Sequence, residues 1–206
     1  ARFARGRFLE VDLTEAVISG STFDECTFRG VTLNASTITD SAFTTCTFRR
    51  TSFSMATMAR CKLVGSTFDS CRFDSLSVEG GDWSFVGLPE ADLRRARFTD
   101  VRLRQADLSG AKAAGATLTG LDLSQASLHA IDLTGADLRG SDLSALDLAT
   151  AHLGGAIVSW QQAVAVAFRH AHWPRDGAAN ERLCQALVPF ETARSDDDTL
   201  ERAHSQ

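Results

Sequence analysis

Every fifth residue from Phe3 to Val158 is apolar. The series runs Phe3, Phe8, Leu13, Ile18, Phe23, Phe28 and on through Trp83 and Leu88 to Leu148, Leu153 and Val158, without one slip of register. That period excludes the two common elements. An α-helix turns about 100° per residue, so a step of five advances a net ~140° and the apolar residues would wander around its surface. In a flat strand an odd step lands on the opposite face. The chain must therefore bend within every five residues. The residue two before each central position is small or apolar as well, as at Ile131, Ala136, Ser141, Leu146 and Ala151. A spacing of two returns to the same side of a short extended segment, which leaves two residues for a turn. Ten of the 15 glycines, from Gly20 to Gly155, occupy the second position after the central residue, where a tight corner favours positive φ.

A short unit with two inward residues and a turn builds a coil that stacks on itself, its backbone pairing with the next coil about 4.8 Å away. The central residues then form a continuous internal ladder. Burying each contributes roughly 1.5–3 kcal/mol gross.

Three units carry a resemblance to a known family: Ala91-Asp92-Leu93, Ala106-Asp107-Leu108 and Ala136-Asp137-Leu138. They resemble the A-[DN]-L-x-x signature of the pentapeptide repeat family. The resemblance implies an all-β solenoid, a right-handed quadrilateral β-helix with 20 residues per turn, over residues 1–158 in about eight coils. It also implies a dimerising C-terminal helix, placed in a C-terminal α-helical cap and dimerisation segment over 159–190; the charge of the residues after it reads as a flexible tail over 191–206, an extension that departs from the family pattern. Within the family, residues 41–48 with Cys61 and Phe68, residues 107–116, and residues 162–168 are similar to the fluoroquinolone-resistance branch, the mycobacterial and Qnr-type gyrase-interacting proteins. That likeness implies a rod that imitates duplex DNA, binds DNA gyrase (topoisomerase IV is a second possible target) and protects it from topoisomerase poisons, as antibiotic resistance or self-immunity. It further implies a homodimer joined through the C-terminal helix. The unbroken register leaves no room for the projecting loops that Qnr-type proteins often carry.

Charge placement bears on that role. The position before each central residue points outward and drifts along the chain. Early it is mostly Thr, as at Thr22, Thr27, Thr37, Thr47, Thr57 and Thr67; late it is Asp122, Asp132, Asp137, Asp142 and Asp147. Residues 106–158 carry six Asp against Lys112 and Arg139, whereas residues 1–105 carry 13 acids and 14 Lys or Arg. Asp107, Asp122, Asp132, Asp137, Asp142 and Asp147 are thus the candidate partner-binding residues, standing in for phosphates that basic proteins meet with Lys and Arg. The competing reading is that Asp in this position is a good solvated turn residue. Arg94, Arg95, Arg97, Arg102 and Arg104 form a basic belt that DNA lacks.

Cys26, Cys46, Cys61 and Cys71 fall in the small inward column, with no CxxC pair, and read as buried reduced thiols in a cytoplasmic protein. Cys26 and Cys46 stack on adjacent coils, a spacing that allows a bridge in oxidising surroundings. The stretch from Glu79 to Pro89 keeps register but changes character, with Trp83 at a central position. It reads as a local bend or a switch in turn type, with Pro89 at a corner. Beyond the coils, Ser159 with Gln162 forms a capping box. Trp160, Val164, Phe168 and Ala171 follow on one apolar helical face, expected either to cover the open end of the solenoid or to join two copies. The helix should stop before Pro174, and a second short helix over 178–188 offers Leu183 and Leu187. His170 and His172 read as surface residues rather than ligands.

The remaining composition narrows the class. There is no nucleophile–base pair, phosphate loop or metal cluster, so no enzyme, cofactor or metal is expected. No transmembrane-length apolar run or signal peptide is present, and no membrane or direct nucleic-acid binding is expected. The chain opens at Ala1 inside a repeat without an initiator Met, which points to residues missing or removed ahead of it. Nineteen Arg against two Lys point to a high-GC bacterial genome. A rigid β-helical scaffold for protein–protein interaction unrelated to gyrase is the rival reading.

Overall fold

The structure, a computed structural model, describes residues 1–170, with side chains in the closing helix as far as Val166. Parallel bridges join each residue to the one twenty further on, from Arg2↔Thr22 and Phe3↔Phe23 to Asp137↔Ile157. The five-residue step therefore closes after four units into a right-handed quadrilateral β-helix. Face 1 is centred on Phe3, Phe23, Phe43, Leu63, Trp83, Leu103, Leu123 and Leu143. Face 2 is centred on Phe8 through Leu148, face 3 on Leu13 through Leu153, and face 4 on Ile18 through Val158. The central residues fill the axis: Phe28, Phe48, Leu63, Leu88 and Leu138 are all fully buried. Phe rings stack coil on coil, Phe8 on Phe28 and Phe28 on Phe48 with centroids 4.7 Å apart. That separation matches the strand spacing, so each ring meets the next without distorting the ladder.

Two kinds of side build the prism. On face 3 every unit closes a turn, from Ala16 N–H donating to Leu13 C=O to Ala156 N–H donating to Leu153 C=O. The residue before the turn's end has positive φ, as at Glu15, which makes these type II turns. Elsewhere the chain begins as strands and changes over. Face 1 is extended through Ala42–Thr44 and turns from Leu63 onward, where Ser66 N–H donates to Leu63 C=O. Face 2 is extended through Thr67–Asp69 and turns from Leu88. Face 4 stays extended through Thr117–Thr119 and turns at Leu138. Within the stretch from Glu79 to Pro89, face 1 is already turning at Trp83 and face 2 changes over at Leu88. Pro89, which has no N–H to donate, takes the second position of the turn that Ala91 closes on Leu88, where its fixed φ fits. Gly81 (φ 96°) lies where the strands Thr57–Lys62 and Ser77–Asp82 run straight through a corner, and a Cβ there would meet the Cys61 carbonyl.

The two kinds of side select their residues. Extended units carry Thr, Ser, Ala, Arg or Val before the central position and never Asp. β-Branched Thr suits a strand. Asp in that column occurs on turning units alone, because its carboxylate accepts the N–H two residues on and stabilises the turn.

The inner column sorts as well. A turn engages the N–H of the residue that follows it; an extended unit leaves that N–H facing the core. Four such groups find a side chain one coil further on: Gly6 N–H donates to Cys26 Sγ (3.3 Å), Ser21 N–H to Ser41 Oγ (3.1 Å), Cys46 N–H to Ser66 Oγ (2.9 Å) and Leu121 N–H to Ser141 Oγ (2.9 Å). The Ser66 and Ser141 hydroxyls also donate to main-chain carbonyls, of Phe43 and Leu118 at 2.7 Å, and the thiols of Cys46 and Cys71 donate in the same way to Phe23 and Phe48 C=O at 3.4 Å. The cysteines serve here as serine equivalents. Cys26, Cys46, Cys61 and Cys71 are free thiols, and burial pushes Cys46 up to about 12 and Cys71 up to about 11. Among the described residues, Trp83 Nε1 is the buried side-chain donor without a partner; its ring stacks on Phe68 and meets Phe98 edge-on at 5.4 Å.

One α-helix, α1 (Trp160–His170), follows the coils. Ser159 N–H donates to Gln162 Oε1 (2.7 Å) and Gln162 N–H donates to Ser159 Oγ (3.4 Å), the capping box expected from the sequence.

Candidate partner-binding surface

The six candidate carboxylates share one local geometry. Each sits just before a central leucine, and its Oδ1 accepts the N–H two residues on. Asp107 takes Ser109 N–H (3.0 Å), Asp122 takes Ser124 (3.2 Å), Asp132 takes Thr134 (3.1 Å), Asp137 takes Arg139 (3.2 Å), Asp142 takes Ser144 (2.8 Å) and Asp147 takes Ala149 (2.9 Å). Asp12, Asp82 and Asp92 do the same outside the candidate set. Three of the six are also held by a side chain two residues on. The Ser124 hydroxyl holds Asp122 below its ordinary value, Thr134 does so for Asp132, and the Arg139 guanidinium does so for Asp137. The turn role and the charge are therefore carried by the same atoms.

The helical register distributes the six over all four sides. Asp122 and Asp142 lie on face 1, Asp107 and Asp147 on face 2, Asp132 on face 3 and Asp137 on face 4. They do not form one stripe. Cations interleave with them, because residues twenty apart are neighbours: Asp82, Arg102 and Asp122 follow one another up face 1, and Asp92, Lys112, Asp132 and His152 up face 3. Arg139 Nη2 lies 2.7 Å from Asp137 and Arg104 Nε lies 3.6 Å from Asp122. The basic belt dissolves into the same pattern, with Arg94 2.6 Å from Asp92 and Arg102 3.6 Å from Asp82. Each exposed pair contributes about 0–1 kcal/mol, so their importance here is neutralisation. Among the described residues no cation lies within ion-pair distance of Asp107, Asp142 or Asp147. Among the described residues, the acid with no cation in ion-pair distance is thus on faces 1 and 2. The interleaving was within reach of the sequence, since Arg102 and Asp122, or Lys112 and Asp132, are spaced by one full coil.

The helix differs from its capping expectation. Gln162 Nε2 donates to Leu138 C=O (2.7 Å) and Ser141 C=O (2.8 Å), which fixes the rotation of α1. Gln162 and Val166, four apart, face the coil, and Val166 packs on the core. Trp160 and Val164, also four apart, are 55% and 43% exposed. The apolar face formed by Trp160 and Val164 therefore points outward, and Gln162 and Val166 fasten the helix. The side chain of Phe168, and Ala171, His172, Leu183 and Leu187 with the rest of 171–206, lie outside the described residues. Among the described residues no group of three or more His, Cys, Asp and Glu could hold a metal ion. No described helix is long and apolar enough to cross a membrane.

A family model described as pentapeptide repeats matches eight copies, over residues 12–50, 91–129 and 114–155. No curated protein matches this chain. Among solved structures, the chain is similar to a trypsin-treated variant of QnrB1, described as a plasmid-mediated fluoroquinolone resistance protein. The identity is 21%, over 82% of this chain and 96% of that one, with a TM-score of 0.49. HetL from the cyanobacterium Nostoc sp., described as a pentapeptide repeat protein involved in heterocyst differentiation regulation, is 20% identical over 76% of this chain and 89% of that one, with a TM-score of 0.42. A pentapeptide repeat protein of the Arabidopsis thaliana thylakoid lumen is 18% identical over 77% and 76%, with a TM-score of 0.22. With its five-residue ladder, its twenty-residue register and the matching family model, this chain belongs to the pentapeptide repeat family.

Proposed function

We propose that this chain is a DNA mimic that binds DNA gyrase and protects it from topoisomerase poisons, as resistance or self-immunity. The supporting observation is a rigid rod whose leucine-filled half carries net acid at fixed spacing. Residues 106–158 hold six Asp against Lys112 and Arg139. At ~4.8 Å per coil this gives one net negative charge per about 3 Å of axis, against one per about 1.7 Å in duplex DNA. The rod thus has about half the charge density of its model, enough to compete for a basic saddle and weaker than DNA itself. Asp107, Asp142 and Asp147, without cation partners among the described residues, would make first contact, with Asp122, Asp132 and Asp137 contributing where the partner displaces their cations. The sequence resemblance of residues 107–116 and 162–168 to the gyrase-interacting branch supports the same reading. In it the protein is cytoplasmic and needs no cofactor, topoisomerase IV is a second target, and two copies join through the Trp160 and Val164 face, which Phe168 and Ala171 would extend, to lengthen the rod.

One observation favours the rival, a scaffold for another protein: each of the six carboxylates already has a turn to hold. Asparagine separates the two, because its side-chain oxygen still accepts the N–H two residues on. Asp107→Asn/Asp142→Asn/Asp147→Asn should keep the melting temperature, lose inhibition of gyrase supercoiling and lose protection from a fluoroquinolone. Wild-type protein without effect on gyrase refutes the proposal; a triple variant as active as wild type removes these carboxylates from it.

A further inference from the structure

We propose that face 2 is a self-recognition surface, along which two copies of this rod lie side by side and antiparallel. The face is segregated by charge along its length. As far as Ser70 it carries Arg7, Arg29, Arg49 and Arg50 against Glu10 and Asp69; from Gly87 to Thr150 it carries Glu90, Asp107 and Asp147 and no Lys or Arg. On the other three faces cations continue into the later coils, as Arg104, Lys112 and Arg139 do. Arg49 is engaged by Asp69 at 3.0 Å. Among the described residues no carboxylate lies within ion-pair distance of Arg7, Arg29 or Arg50, and no cation within that distance of Asp107 or Asp147. All five are exposed. The relief is low. The earlier half is a four-stranded parallel sheet, from Arg7–Leu9 to Thr67–Asp69, and the later half presents Gly87, Ser109, Gly110 and Ser127.

This charge order fixes how two copies can meet. A half turn about an axis above the face, at right angles to the rod, reverses the order of coils and keeps each outward column opposite itself. That is the isologous pairing of a two-fold dimer. In the column before the central residues, Arg7 then opposes Asp147 of the second copy, Thr27 opposes Ser127 and Thr47 opposes Asp107. Arg49, two residues along the strand from Thr47, comes within side-chain reach of that same Asp107. In its column Arg29 faces His129. Each meeting occurs twice. Parallel rods would instead set arginine on arginine and aspartate on aspartate. The overlap runs about 34 Å from Arg7 to Asp147 and is about 10 Å wide. The two copies together bury roughly 700 Å², well under the ~1,200 Å² of a stable complex, so the association is weak and driven by charge. It stands on face 2 alone and needs no gyrase. Where the gyrase reading holds, pairing covers Asp107 and Asp147 and withholds them from the enzyme.

Sedimentation velocity of the full chain tests it at about 20 mM and about 0.5 M salt, between which the screening length falls from about 20 Å to about 4 Å. Wild type should associate with rising concentration at low salt and lose that association at high salt. Arg7→Glu and Asp147→Arg should each weaken it at least ~10-fold. An equimolar mixture of the two should recover it, since each copy then meets the opposite charge at both ends. Because Asp147 also holds a turn, the register is read a second way. In a Cys184→Ser background, Thr27→Cys mixed with Ser127→Cys should be joined by a short bismaleimide, while neither is joined to itself. Association that ignores salt and both charge variants would overturn the proposal and leave α1 as the joint. A wild type monomeric at low salt up to about 1 mM, or a mixture that crosslinks no faster than its components alone, would overturn it as well.

Discussion

Replacing Ser66 by alanine should destabilise this protein more than its single lost oxygen suggests. Ser66 is fully buried. Its Oγ accepts Cys46 N–H at 2.9 Å and donates to Phe43 C=O at 2.7 Å. Alanine leaves a core-facing N–H with no acceptor, at a cost of about 1–3 kcal/mol, and removes a bond contributing about 0.5–1.5 kcal/mol. The sum, roughly 2–4 kcal/mol, converts to a fall of roughly 4–16 °C in Tm for a chain of this size. Ser66→Cys should cost less than about 1 kcal/mol, because Cys26 already accepts Gly6 N–H and Cys46, Cys61 and Cys71 already donate to main-chain carbonyls. Ala136→Ser provides the contrast: Ala136 N–H is engaged by Leu133 C=O, so a hydroxyl there has no vacancy to fill and Tm should not rise. Thermal melts by circular dichroism, with urea titrations to confirm an unchanged slope, measure all three. A Ser66→Ala protein melting within 1 °C of wild type, on that ~4–16 °C scale, would refute the division of labour between turns and inner-column side chains.

Three further outcomes can be checked. Asp142→Ala should lower Tm by roughly 1–5 °C through loss of the Ser144 N–H bond, whereas Asp142→Asn should leave it unchanged; equal losses would mean that charge rather than turn geometry matters to the fold. Asp92, Asp122, Asp132 and Asp137 are held below their ordinary value of 3.8. A depressed carboxylate contributes stability above its unfolded value and loses it as pH falls through the folded one. The urea midpoint should therefore be flat from pH 7 to about 5 and fall below about pH 4, less steeply in Asp132→Asn/Asp137→Asn; a variant with the wild-type slope contradicts this. Cys46 and Cys71, pushed up to about 12 and 11, should react with a thiol reagent at pH 8 at least ~100-fold more slowly in the folded protein than in urea, as read by mass spectrometry of labelled peptides.

The period of five made the solenoid legible before any coordinates, because neither a helix nor a strand keeps such a residue inside. The capping box of Ser159 and Gln162 and the corner at Pro89 were legible too, being decided within four residues of chain. What the five-residue step hid was decided at twenty. Stepping by five makes Asp122, Asp132, Asp137 and Asp142 look like one acidic column, yet they belong to three different sides, and Arg102 or Lys112 lies one coil beneath Asp122 and Asp132. The inner column looked uniformly small. It is two populations: Cys26, Ser41, Ser66 and Ser141 answer an N–H one coil back, while Ala116 and Ala136 follow turns that answer their own. The orientation of α1 was out of reach, since it depends on where the last carbonyls of Leu138 and Ser141 stand relative to Gln162.

The coil-to-coil register has an evolutionary consequence. Removing twenty residues would shorten the rod by one storey and leave each downstream side chain on its original compass bearing. Removing five would preserve the apolar axis but rotate everything above the cut by a quarter turn, so that the carboxylates of Asp107 and Asp147 would swing to a neighbouring wall. A lineage of such chains can therefore re-aim its charge without redesigning its interior, simply by losing or gaining one unit.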